Sequence, residues 1–400
     1  YFYKTIGPIN IDNNMMKKNI AVIFGGQSAE HDVSIITAHK PIIASLLASD
    51  QFDVWPIYIA KDGSWYCDQL MNEMKYFQQD DLEEKISKLK KVRILFDQGL
   101  KIIWPGFSSR TVAIDLVFPA MHGTFGEDGS LMVTLRMANV PFVGCDMSAS
   151  AVAMDKVFTK QVIAAEGIPV VPYVWFTKTD WQKDQSMLSE KIAKLKYPLF
   201  IKPVHLGSSI GITKVKKLDE LANALEVAFH YDDKVLVEEG VENLIEVTLP
   251  ILGNDDLQLA AIERPLNKTE FFDFNDKYLS GGKKTGGASS RYSELPANID
   301  PALTAQVQDF GRRTYKTLGC TGTARIDFLI DSASGQVYVN EVNTLPGSLY
   351  DHNWKSVGVS NLDLVMKLVQ LAEERFASRQ NITYSFNSTI LKQVGGNKIS

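Results

Sequence analysis

Cysteine is scarce in this chain of 400 residues: Cys67, Cys145 and Cys320 are the only three. Their spacing matches no metal-ligand pattern, and an odd number leaves no complete disulfide set. They read as reduced thiols of a cytosolic protein. No apolar run approaches the roughly 20 residues needed to cross a bilayer. The net charge of −5 shows no excess that would mark a nucleic-acid or membrane surface. The first residues lack the basic segment and apolar stretch of a secretory signal. The chain reaches Met15-Met16-Lys17-Lys18 just before its first strand, so residues 1–14 read as an upstream extension. There is no internal repeat or low-complexity segment. Two nucleotide-binding fingerprints are also missing. No Gly-rich loop ends in Gly-Lys-Ser/Thr, and Gly25-Gly26 is not the three-glycine dinucleotide turn. What is present is the composition of an ordinary globular protein, with enough residues for two or three domains.

Asn19 to Phe24 predicts a buried strand ended by Gly25-Gly26, followed by a helix from about Ser34 to Leu47. Further strands are expected at Phe52 to Ile59 and Ile114 to Pro119. This order predicts a parallel α/β sheet in the first third. Ser148 or Ser150 is expected to cap a helix running to about Glu166, with Gly167 as its stop. Strands follow at Val170 to Phe176, Leu199 to Lys202 and Lys234 to Glu239, with a helix at Leu218 to Ala228. Leu362 to Phe376 predicts a closing helix. The fold class is mixed α/β (α+β). The expected divisions are an extension (1–18), an α/β domain (19–147), a central domain (148–240), a C-terminal domain (241–377) and a tail (378–400).

The most informative stretch is Ala324 to Leu329 with Val337 to Gly347. Two strands flank Asp331-Ser332-Ala333-Ser334-Gly335, which predicts an antiparallel hairpin. Glu341 and Asn343 share a face because they are two apart. Asp327 can face them from the partner strand, with Arg325 beside it. Two carboxylates and an amide oxygen form a hard-oxygen set suited to Mg2+ carrying phosphates. The plain alternative is a polar sheet face in contact with water.

Other segments have the same double reading. Lys202 ends a strand before Gly207-Ser208-Ser209-Ile210-Gly211, a loop that can offer N–H groups and hydroxyls to phosphate or be a simple hairpin tip. Glu238-Glu239-Gly240-Val241 ends a strand where backbone can meet an adenine edge and Glu246 can hold ribose, or where carboxylates are merely solvated. Glu30 follows the first strand and can receive an ammonium group. His122-Gly123-Thr124-Phe125-Gly126-Glu127-Asp128-Gly129 lies at the same sheet edge, as a ligand loop or a turn. Lys277 to Gly287 reads as a lid or a solvated charge run.

Taken in order, six motifs resemble the D-alanine–D-alanine ligase family of the ATP-grasp superfamily. They are residues 24–31, 122–129, Met154-Asp155-Lys156, 202–211, 276–280 and Glu341-Val342-Asn343-Thr344-Leu345-Pro346-Gly347. The resemblance covers about Ile20 to Gly347. It implies a three-domain ATP-grasp fold with ATP between the second and third domains. It further implies ligation of two D-alanine molecules through a D-alanyl phosphate, for peptidoglycan precursor synthesis in the cytoplasm. Lys156, Lys202, Ser209 and Lys277 would contact ATP phosphates, and Glu238, Glu239, Val241 and Glu246 the adenosine. Asp327, Glu341 and Asn343 would bind two Mg2+ ions, with Mn2+ as a substitute. Glu30, Ser208 and Tyr278 would hold the first D-alanine, near His122, while Arg325 and the Gly347 N–H form the oxyanion site. The implied assembly is a homodimer, with no nucleic-acid or membrane partner.

The chain departs from the family pattern after Gly347. Ser348-Leu349-Tyr350-Asp351-His352 places His352 where a serine commonly holds the acceptor carboxylate, so His352 becomes the candidate acceptor contact. This leaves the acceptor open. An ATP-grasp carboxylate–amine ligase with another acceptor and a silent nucleotide-binding module are the competing readings.

Overall fold

The computed structural model describes residues 17–106, 109–266 and 293–392. Lys18–Gly25 runs at the centre of a parallel sheet, between Phe52–Ile59 and Leu116–Pro119. Trp65–Tyr66 closes one edge antiparallel. Ile20 through Phe24 are completely buried, as expected for a strand covered on both faces. The expected strand at Ile114 to Pro119 is in fact two. Arg110–Ile114 belongs to a separate antiparallel meander with Arg93–Phe96 and Leu100–Trp104. Asp115 separates them, accepting the Asn19 N–H at 2.8 Å.

The first helical stretch begins earlier than the sequence suggests, at His31, and runs to Ala48 with a π-type stretch over Ala38–Ile43. Pro41 lies inside it. Proline has no N–H to donate and its ring crowds the preceding turn, so a wider hydrogen-bond pattern accommodates it.

The expected helix from Ser148 to Glu166 is broken. Met147–Met154 and Lys156–Ala165 are separate helices. Their caps are aspartates, not the expected serines. Asp146 accepts from Met147 N, and Asp155 from Val157 N and Phe158 N at 2.8 and 2.9 Å. Ser150 is buried within the first helix. Asp155 has an extended backbone (φ −87°, ψ 105°), and this break makes Lys156 the first residue of the second helix.

A second, wholly antiparallel sheet follows in the order Thr213–Val215, Leu199–Pro203, Lys234–Glu239, Tyr173–Thr177. Pairing starts at Tyr173, not Val170. Pro169 and Pro172 have no amide hydrogens to contribute, and their carbonyls accept from Val339 and Glu239 instead. The predicted helix from Leu218 begins as a 3-10 turn, Leu218–Glu220, and becomes α-helical over Leu221–Tyr231. The third sheet is Gln258–Leu259, Leu244–Leu252, Thr323–Asp331, Gln336–Asn343, all antiparallel. The closing helix is Asn361–Arg379, capped by Ser360, which accepts the Asp363 N–H. Among the described residues no helix is long and apolar enough to cross a membrane.

Candidate active site

The hairpin of Thr323–Asp331 and Gln336–Asn343 carries the expected polar face, and a bulge makes it possible. Leaving the turn, Leu329 opposes Tyr338 and Phe328 opposes Val339. The register then shifts, so that Asp327 opposes Glu341 and Arg325 opposes Asn343, leaving Asn340 as the extra residue. Directly opposed residues share a face. In an unbroken ladder Asp327 would oppose Asn340, and Glu341 would turn to the other side. The inserted residue restores the phase and sets Arg325, Asp327, Glu341 and Asn343 in one block.

Arg325 grips Asp327 with two bonds, Nε–Oδ1 at 2.7 Å and Nη2–Oδ2 at 2.6 Å, and lies 3.8 Å from Glu341. Its guanidinium also lies over the Tyr350 ring, 4.7 Å from the centroid. Burial opposes its charge, but the Asp327 and Glu341 carboxylates prevail and raise its pKa. Lys156 approaches the same block, with Nζ 3.9 Å from Glu341 and donating to the Leu206 carbonyl at 2.5 Å. Burial lowers its pKa, against the pull of Glu341. Lys202 donates to Glu238 and lies 3.5 Å from Asn340 Oδ1. Lys156, Lys202, Ser209, Glu238, Glu239, Val241, Glu246, Arg325, Asp327 and Glu341 all line one cleft between the second and third sheets. Asn343 borders an adjoining recess with Lys156 and Gly207, and its Oδ1 accepts the Leu345 N–H at 2.9 Å.

Glu238 lines the cleft that the resemblance assigns to adenosine. Its side chain turns inward, paired with Lys202 and, at 3.0 Å, with Lys160. Burial works against its charge, yet the two ammonium groups hold its pKa down at about 2. A carboxylate so engaged braces Lys202; only its backbone is left to face a base. Glu239 Oε1 accepts the Lys196 N–H at 3.0 Å.

Ser208, between the cleft-lining Gly207 and Ser209, donates a hydrogen bond to Glu30, 178 positions away in the chain. Gly123 and Gly207 crowd against this carboxylate. A Cβ on either would stand 3.3 Å from Glu30 Oε2, and Gly123, at φ +69°, would also strike Ser28 Oγ. His122 is buried, with Nε2 hydrogen-bonded to Thr37 Oγ1 at 2.8 Å and Nδ1 facing Glu127 at 3.6 Å.

His352 is likewise already engaged. Its Nε2 meets Glu263 Oε2 at 2.9 Å, while Nδ1 lies 4.0 Å from Asp351. Partial burial disfavours its charge, but the Glu263 hydrogen bond and charge outweigh that and raise its pKa above 6.5. Tyr350, whose ring lies 5.3 Å from that of His352, stands between it and Arg325. Ser348, Leu349 and Tyr350 all have left-handed backbones, with φ of 49°, 55° and 50°. Lys277 and Tyr278, with the expected lid, lie outside the described residues.

The sign of the His352 shift gives a prediction. Stabilisation from the Glu263–His352 pair is complete below His352's ordinary pKa and is lost as pH rises through its raised value. A ring chemical-shift titration should place His352 above 6.5, and Glu263→Gln should lower it. A parent titration at or below the ordinary value would show that the pair does not persist in solution.

Several contributors are not evident from the motifs. Lys160 follows Lys156 by one helical turn, a spacing that hints at a shared face, but nothing in the sequence shows that it is buried. His205 lies inside a recognised motif, yet its role depends on distant partners. It bonds Asp232 and Asp155, whose carboxylates push its pKa up to about 9. This ties the Gly/Ser loop to the cap of the Lys156 helix. The cysteines are free and buried.

The donor set suits a hard dication. Asp327, Glu341 and Asn343 offer only oxygen from one face, next to lysines able to meet phosphate. Among the described residues no group of three or more His, Cys, Asp or Glu side chains is arranged to hold a metal ion.

Comparison with known proteins shows the family. Residues 19–145 match the family description "D-ala D-ala ligase N-terminus" and residues 162–370 "D-ala D-ala ligase C-terminus". The D-alanine–D-alanine ligase of Bacillus velezensis is 36% identical over 373 residues, covering 91% of this chain and 100% of its own. That of Acetivibrio thermocellus is 35% identical over 375 residues, covering 90% and 97%. Among solved structures, the VanG D-Ala:D-Ser ligase from Enterococcus faecalis superposes with a TM-score of 0.74 at 35% identity, covering 89% of this chain and 99% of that one. The D-alanine–D-alanine ligase from Coxiella burnetii gives 0.76 at 29% identity, covering 91% and 96%. With both halves matched and relatives 36% and 35% identical over nine-tenths of its length, the chain belongs to the D-alanine–D-alanine ligase family.

Proposed function

We propose that this protein joins two D-amino acids at the expense of ATP, with D-alanine as donor and D-alanine as the first-choice acceptor, to supply peptidoglycan precursors. It has the ATP-grasp fold, and we place its domain borders at 147/148, 240/241 and 377/378. The observation that supports this best is the single cleft in which Lys156 and Lys202 face Arg325, Asp327 and Glu341, with Ser208, bonded to Glu30, between its lining residues Gly207 and Ser209.

A carboxylate is a poor electrophile. The donor carboxylate oxygen therefore attacks the γ-phosphorus of ATP, the bond to the β-γ bridging oxygen breaks, and ADP leaves behind an acyl phosphate. Lys156 and Lys202 hold the phosphates, and Glu30 holds the donor ammonium. Asp327, Glu341 and Asn343 would hold Mg2+, two ions in our reading with Mn2+ as a substitute, which supplies charge neutralisation at the transferring phosphoryl group. The acceptor amine then attacks the carbonyl carbon. Arg325 and the Gly347 N–H meet the oxygen that becomes negative, and phosphate leaves as the peptide bond forms. A cytoplasmic location and a homodimer complete the proposal.

A second acceptor, D-serine, has specific support. His352 replaces the usual serine at the acceptor end, and a solved relative at 35% identity is titled a D-Ala:D-Ser ligase. The experiment is product analysis with ATP, D-alanine as donor, and D-alanine, D-serine, D-lactate and glycine as competing acceptors. A D-alanyl-D-amino acid with stoichiometric ADP is expected. Exclusive incorporation of D-lactate would refute an amine acceptor. ATP binding without any dipeptide would refute the ligase.

A further inference from the structure

The oxyanion loop has a support that none of the six motifs includes. Thr37, the last residue of the helix His31–Thr37, is almost fully buried. Its Oγ1 accepts the Ser348 N–H at 2.9 Å, across 311 positions of chain. The same oxygen lies 2.8 Å from His122 Nε2. The hydroxyl has one proton and two lone pairs, so the direction of its bond with His122 follows the His122 tautomer. His122 Nδ1 faces one oxygen of Glu127 at 3.6 Å, while the other oxygen of Glu127 accepts the Gly123 N–H at 2.8 Å.

The peptide held in this way is the one between Gly347 and Ser348. It opens a run of three non-glycine residues in left-handed conformations, which a chain adopts only where its surroundings impose it. The helix that ends at Thr37 is preceded directly by Glu30. One short rigid element therefore spans from the ammonium anchor to the oxyanion loop.

We propose that Thr37, hydrogen-bonded to His122, is a positioning residue that holds the Gly347–Ser348 peptide and through it the backbone of Gly347, whose own N–H, in the preceding peptide, is aimed at the developing oxyanion. This rests on the ligase reading above. Thr37 touches no substrate; it acts by holding the loop at the correct distance from the donor carbon that Glu30 positions.

The test uses the full chain with Thr37→Val, which keeps the shape and removes the hydroxyl, and Thr37→Ser, which keeps the hydroxyl. Thr37→Ala serves as a second hydroxyl-free variant should the valine variant fail to fold. Dipeptide kcat, ATP affinity by calorimetry and amide exchange of Ser348 are measured on each. The hydroxyl-free variant should lose about tenfold or more in kcat, as expected for a misaimed donor. ATP affinity should be unchanged, Ser348 exchange faster, and Thr37→Ser close to the parent in all three. A hydroxyl-free variant that keeps kcat within about twofold of an active parent overturns the proposal, as does a serine variant no better than valine. A parent that forms no dipeptide overturns the ligase reading first, whereas unchanged Ser348 exchange overturns the contact whatever the activity.

Discussion

Replacing Glu341 with glutamine should lower turnover by about three orders of magnitude, the upper end of the cost of removing one fixed charge from a transition-state site. The substitution preserves shape and removes a negative charge from the hairpin face that lines the cleft. Glu341 opposes Asp327 across the hairpin and lies 3.8 Å from Arg325 and 3.9 Å from Lys156. Its loss leaves those cations in excess and the dication one carboxylate short. Stability should change much less than turnover, because Glu341 is partly exposed. Steady-state kinetics over a range of Mg2+ concentrations, with a thermal melt as control, provides the check. A folded variant with near-normal turnover would sink the metal assignment.

The largest stability effect is expected at Glu238. Its carboxylate is buried between Lys160 and Lys202, and Lys160 is only 1% exposed. Lys202 lines the open cleft and can find water, whereas Lys160 has no such outlet. Glu238→Gln therefore leaves a buried ammonium without its countercharge, a change that costs about 3–5 kcal/mol in comparable buried pairs. Adding Lys160→Met to this variant should recover much of the loss, because an apolar replacement removes the uncompensated charge. The pH dependence has a definite sign. A carboxyl whose pKa is depressed from 4.5 to about 2 contributes stability above its ordinary value, lost as pH falls through the lower one. Denaturant unfolding of the single and double variants measures this. A single-variant loss below about 1 kcal/mol, the level of exposed pairs, would show that the cluster does not stabilise the fold.

Much of this site is legible in the sequence because its determinants are local. Alternation places Glu341 and Asn343 on one face, turn residues between two apolar runs define the hairpin, and glycines mark where backbone must approach a ligand. The errors have local causes too. Serine and aspartate both suit a helix cap, and Asp146 and Asp155 take that role here; Asp115 divides one apolar run between two sheets.

By itself the sequence determined the element types, the order of the motifs and the residue chemistry gathered at each loop. The tertiary structure alone decided the phase of the hairpin. The extra residue Asn340 brings Asp327 opposite Glu341, and a bulge is set by how two strands pair rather than by either strand's own pattern. It also decided which charges are buried against each other and which loops are held from afar, as Thr37 holds Ser348. Hydrogen bonds and ion pairs depend on distances of about 3 Å between atoms, and the separation of residues along the chain does not encode such distances.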